Sequence, residues 1–223
     1  MPATPRQGVS CGHRQSACTA MSPSPAPIMT PTASVLAFED EWAPAAALAA
    51  VLGVPCAPIR RHRFPDGELR LTLPTGLRGT ALLYRSLHQP NEKLVELLIA
   101  APTARVQGAG AVVLVAPYLA YMRQDIEFHP GEAVSQRHIG GLLAQAFDGV
   151  VTVDPHLHRI ARLDEVMPGC QALSLSAAGA IGAFVAARRP GACLLGPDGE
   201  SEQWVRRSEE HTSELQSRLH LVC

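Results

Sequence analysis

The apolar positions of this chain follow two rhythms. Unbroken or nearly unbroken apolar runs at 35–38, 80–86, 112–116, 150–153 and 192–195 end in polar or turn residues, as strands buried on both faces do. Between them, apolar residues recur at helical spacing. One helix is expected over 41–52, with acidic residues at its start and Gly53 at its end. A second opens at Asn91 as N-cap and carries Leu94, Leu97, Leu98 and Ala101, and a third opens at Ser135 as cap and carries Ile139, Leu142, Leu143 and Ala146. Pro102 lies inside the second and is expected to kink or shorten it near Ile99. A fourth, rich in small residues, is expected over 174–188 and stopped by Pro190. Strict alternation occurs at Leu69, Leu71 and Leu73, with Arg70 and Thr72 between them, directly after Asp66-Gly67; this predicts a hairpin with one wet face. Alternating strands and helices predict an α/β fold, a mainly parallel sheet flanked by helices.

The ends differ from this pattern. Residues 1–34 are rich in Pro, Ser, Thr and Ala and have no periodicity, so they cannot bury enough surface to offset their ordering entropy. They are expected to be a disordered tail or a misassigned gene start, with Met21 or Met29 as the initiator. From Arg207 to Cys223 the text loses its Ala, Gly and Pro and resembles the translation of a sequencing-library adapter, so 207–223 is expected to be artefactual, with no core to dock on.

Composition narrows the function classes. A net charge of −1 gives no broad electrostatic footprint for nucleic acid, and the long uncharged stretches are broken by Pro and Gly, which argues against a membrane span. The 6 cysteines show no paired metal spacing and read as free thiols in a reducing, cytoplasmic compartment.

The candidate chemistry follows the run at 112–116. Pro117 ends the strand, and Tyr118, Tyr121, Arg123, Gln124 and Asp125 cluster just beyond it, where open α/β sheets place their ligands. A guanidinium suits phosphate oxygens, an amide suits ring edges and aromatic faces suit stacking, so the set suits a polyanion joined to a base. With Glu132 and Ser135 this stretch resembles the ATP-binding segment of the ribose-phosphate diphosphokinases, the phosphoribosyl pyrophosphate synthases. Three more segments carry the same resemblance: Phe64-Pro65-Asp66-Gly67-Glu68, Asp154-Pro155-His156, and Gly196-Pro197-Asp198-Gly199.

The resemblance implies a fold of the type I phosphoribosyltransferase kind, with an N-terminal domain over 35–172 and the start of a truncated second domain over 173–206. It implies ATP binding by Arg123, Gln124 and Asp125, and by Phe64, Asp66, Gly67 and Glu68 reaching the ATP site of a neighbouring subunit, so that the active protein is a homo-oligomer. It also gives Mg²⁺ to His156 and Asp198; magnesium prefers oxygen ligands, so the histidine rests on resemblance alone. The implied reaction moves the diphosphoryl group of ATP to ribose 5-phosphate. The family's basic catalytic loop and paired-aspartate ribose-phosphate loop have no counterpart here, Lys93 being the only lysine, so no catalytic residue is assigned and the chain as written is expected to be inactive. Two alternatives stand beside this reading. Ile126 and Glu127, where typical members place basic residues, favour a non-catalytic paralogue that regulates or scaffolds synthase oligomers. A phosphoribosyltransferase acting on a base would have no reason to keep the ATP elements.

Overall fold

The computed structural model describes residues 32–196, 201–210 and 216–217. β1 (Ala33–Phe38) leads through a 3-10 turn (Glu39–Glu41) into α1 (Trp42–Leu52), β2 (Cys56–Arg63) and β3 (Leu69–Thr72). Next come β4 (Thr80–Tyr84), α2 (Pro90–Val106), β5 (Ala111–Ala116), α3 (Ser135–Ala146), β6 (Gly149–Val153) and β7 (Gln171–Leu175). After them are α4 (Ala178–Arg188), β8 (Cys193–Leu194), α5 (Glu202–Glu210) and β9 (Gln216–Ser217). Among the described residues no helix is long and apolar enough to cross a membrane.

Seven strands form one sheet in the order β3-β2-β1-β4-β5-β6-β7, parallel throughout except where β3 pairs with β2. The expected α/β class is therefore the observed one. Register sets Leu36 beside Leu83, Leu83 beside Leu114 and Leu114 beside Val150, so one row of branched side chains crosses the sheet inside the larger core. β1 is buried on both faces: Leu36 and Phe38 enter that core with Leu97 and Ala101 of α2, while Val35 and Ala37 meet Ala45 and Ala49 of α1. Successive strand side chains point to opposite faces, which is why an unbroken apolar run is needed there. The chain lays β2 and β3 on one side of β1 and β4 to β7 on the other, and the crevice beyond such a switch point is where open sheets take ligands.

Several local expectations change. Gln89, at φ 52°, caps α2, with Pro90 at its first position, where a missing N–H is harmless; Asn91 instead accepts the Tyr121 hydroxyl. α2 runs on through Pro102 to Val106, and Thr103 donates its hydroxyl to Ile99 O at 2.6 Å beside the proline. Ser135 is the first residue of α3 and Val134 its cap, with no side-chain cap bond. The helix expected from residue 174 starts at Ala178, because Gln171–Leu175 pairs with β6 as a strand; the small Ala and Ser residues hid a two-residue alternation of Leu173 and Leu175. The boundary expected at Arg206 falls inside α5, which packs on α4: a Cβ added to Gly182 would come within 2.5 Å of Ser208 O.

Candidate functional site

The loops that leave β4 and β5 at their C-terminal ends border an open cavity of about 410 Å³ lined by Leu87, His88, Gln89, Pro90, Tyr118, Ala120, Tyr121, Arg123 and Gln124. Backbone contacts fix its walls. Arg85 N–H donates to Val115 O and Leu87 N–H to Tyr118 O, at 2.9 and 2.8 Å, so the two strands stay zipped beyond the sheet proper. Tyr121 takes a left-handed φ of 63°. The loop is then tied down at its far end by Gln136, whose N–H reaches Gln124 O and whose side-chain amide donates to Met122 O, both at 3.2 Å. Gln124 donates its own amide to Ile126 O and Glu132 Oε2, each at 3.1 Å. The hydrogen bond from His129, with those from the loop's N–H groups, holds the Glu132 carboxyl below its ordinary pKa.

The sequence-predicted nucleotide residues separate into three groups. Arg123 and Gln124 line the cavity, with Arg123 exposed and in no ion pair among the described residues. Asp125 does not line it. Its side chain is buried and its Oδ1 accepts Arg159 Nη1 at 2.7 Å, which ties this loop to the one after β6. Phe64, Asp66, Gly67 and Glu68 form the turn between β2 and β3, where Phe64 N–H donates to Glu68 O at 2.9 Å and Gly67 takes φ 95°, a conformation that glycine adopts freely. Asp66 Oδ1 accepts the Glu68 N–H at 3.1 Å, and the half-exposed Phe64 ring meets His62 edge-on at 4.8 Å. None of these four lines the cavity, although Arg63 at the base of the hairpin pairs with Glu92, next to the Asn91 that accepts the Tyr121 hydroxyl.

At the end of β6, Asp154 has a left-handed φ of 41°, and its carboxylate accepts the Ala177 N–H at 2.9 Å and Trp204 Nε1–H at 3.1 Å. His156 and His158 stack edge-to-face, ring centroids 3.8 Å apart, with their Nε2 atoms in contact. Asp198 lies outside the described residues. Among the described residues no three His, Cys, Asp or Glu side chains converge on a point. An imidazole pair beside an engaged carboxylate does not by itself fit Mg²⁺, which wants several oxygen ligands.

Sequence reasoning missed a buried ionic network at the switch point between β1 and β4. Arg85 is 1% exposed and Glu96 fully buried. Arg85 Nη1 lies 2.8 Å from Asp40 Oδ2, and Nη2 lies 2.5 Å from Glu96 Oε2, an ion-pair contact outside hydrogen-bond geometry. The Arg85 guanidinium also sits 4.5 Å over the Phe38 ring, and Arg61 reaches Glu96 from β2. Burial pushes the Asp40 carboxyl up, but the hydrogen bond and charge of Arg85, with Arg61 behind them, outweigh it and hold the pKa below the ordinary value. The hydrogen bond to Glu96 raises the Arg61 pKa in turn. One sequence signal was available: Lys93 and Glu96 share the helix face of Leu94 and Leu97, where solvated charges do not belong.

A profile of the family described as the N-terminal domain of ribose phosphate pyrophosphokinase matches residues 34–146. The ribose-phosphate pyrophosphokinase of Methanopyrus kandleri is 36% identical over 162 residues, which cover 71% of this chain and 54% of that protein. That of Halobacterium salinarum is 36% identical over 112 residues, 50% of this chain and 40% of the other. The chain thus spans about half the length, or less, of the curated relatives it matches. The crystal structure of phosphoribosylpyrophosphate synthetase from Mycobacterium smegmatis superposes with a TM-score of 0.66 over 85% of this chain and 64% of that one; at 20% identity this speaks to the fold alone.

Proposed function

The chain belongs to the family described as the N-terminal domain of ribose phosphate pyrophosphokinase, and on that premise we propose that the protein is a ribose-phosphate diphosphokinase acting on ATP and ribose 5-phosphate. In that transfer the C1 oxygen of the sugar bonds to the β-phosphorus of ATP, the bridge between the α- and β-phosphates breaks, and AMP leaves. Positioning and neutralisation of phosphate charge carry such a step. The observation that supports this reading best is Arg123, an exposed guanidinium lining a cavity that Tyr118 and Tyr121 also line. A guanidinium can take two phosphate oxygens side by side, and the Gln124 amide, whose NH₂ is spent on its own loop, keeps Oε1 to accept from an amine on a base. Asp125 then acts through Arg159 to hold the loop rather than on the nucleotide. Phe64, Asp66, Gly67 and Glu68 serve a neighbouring subunit of a homo-oligomer. His156 and Asp198 keep the magnesium role on resemblance alone, and a cytoplasmic location is part of the same proposal.

Arg123→Ala should weaken ATP binding by about 2 kcal/mol, roughly thirtyfold, as for a charge-assisted contact to phosphate. Unchanged affinity by calorimetry would remove the central assignment. The second reading, a non-catalytic partner within synthase oligomers, is favoured by Ile126 and Glu127: the Glu127 carboxylate accepts the Gly131 N–H and so serves the loop itself. Release of AMP that depends on ribose 5-phosphate separates the two readings.

A further inference from the structure

Lys93 is the only lysine of the chain, and it is buried in the first turn of α2. An ammonium near a helix N-terminus opposes the macrodipole and loses hydration when buried, so something must hold it there. Its donors are all directed. Nζ lies 2.9 Å from Glu41 Oε1 and 2.7 Å from Ser86 O, and it faces the His88 ring at 3.2 Å from Nδ1. The second oxygen of Glu41 accepts the Ser86 N–H at 2.8 Å. One ion pair therefore grips both the N–H and the C=O of a single residue, which stands where β4 gives way to its loop. Beyond that grip come Leu87, His88 and the left-handed Gln89, which line the cavity together with Arg123 and Tyr118.

A buried ion pair adds little net stability compared with well-packed apolar side chains, so its effect is sought in geometry. We infer that Lys93, with Glu41, is a positioning residue for nucleotide binding: it clamps the Ser86 peptide so that the Leu87-to-Gln89 wall stands at a fixed distance from Arg123. The inference rests on the ATP reading above. It adds a pair of residues outside the cavity, acting through the Ser86 peptide and the His88 ring.

The test uses the full chain and ATP as the probe. A single lysine means that labelling lysine with ¹⁵N at Nζ gives one side-chain resonance. That resonance should move on titration with ATP, with the same midpoint as calorimetry. Lys93→Met should bind ATP at least tenfold more weakly. Val112→Ala, a cavity at the opposite end of β5, should keep its affinity even if its melting temperature falls as far. A resonance that stays put at ATP saturation overturns the clamp, and that measurement holds even if Lys93→Met does not fold. Unchanged ATP affinity in Lys93→Met, or an equal loss in Val112→Ala, also overturns it. If the unsubstituted chain binds no ATP, the nucleotide reading fails and the clamp fails with it; if it binds and any of the other three results is found, the clamp alone is lost.

Discussion

A charge at the switch point ties part of this protein's stability to pH. Asp40 is half-exposed, and its carboxyl is held below the ordinary value of 3.8 by Arg85 and Arg61 despite the opposing effect of burial. A carboxyl with a depressed folded pKa stabilises the fold fully above its unfolded pKa, and that contribution is lost as pH falls through the folded value. Asp40→Asn should therefore melt lower than the parent at neutral pH, and the gap should close as pH drops below about 4. Melting curves between pH 7 and pH 2 check this, and a gap that widens in acid would put the stabilising charge elsewhere. Residue chemistry was unevenly legible in the sequence. That Arg123 and Gln124 line a cavity could be anticipated, because polar groups past a strand end stand where adjacent loops diverge. For the buried charges only the placing of Lys93 and Glu96 on an apolar helix face was legible; their partners were not, since these lie up to 52 residues away.

Elements were legible where an unbroken apolar run accompanies burial, complete on both faces in most of β1 and on one face with partial cover of the other in β5 and β6. β7 was not, because an edge strand of five residues with exposed Leu173 and Leu175 carries too weak a pattern to outweigh the small residues that follow it. The loop between β6 and β7 is placed by close approach rather than by periodicity: α3 meets the 3-10 turn at Leu163–Val166 so closely that a Cβ on Gly140 would lie 2.4 Å from Val166 O. That contact is with backbone and cannot be relieved by rotating a side chain. Gly140→Ala should cost about 1–3 kcal/mol as the helix and turn separate, even though alanine is the better helix former. In a chain of this size that is a fall in melting temperature of roughly 2–10 °C. A stability gain in the same variant would mean that the helix moves freely against the turn.

Across the whole molecule, the sheet order separates the two halves of the proposed ATP site. The hairpin belongs to β2 and β3, whereas Arg123 follows β5, and β1 and β4 lie between them. Three strand spacings, about 14 Å, separate the strand ends that carry the two groups. The hairpin nonetheless presents an aromatic ring, half-exposed and braced by His62 and the Arg70 guanidinium 5.9 Å away, together with two carboxylates. On the proposed reading a second copy supplies the other half, which makes the assembly itself testable. Phe64→Ala and Arg123→Ala should each weaken ATP binding when every subunit carries the change. Mixed and reassembled, the two variants should regain a fraction of tight sites, because a heteromeric contact can pair the intact hairpin of one chain with the intact Arg123 of another. Titration calorimetry on the mixture would resolve that second class of site. A monomer in sedimentation, or a mixture that binds only as weakly as its two components, would place the nucleotide wholly within one chain and leave the hairpin without a role at this site.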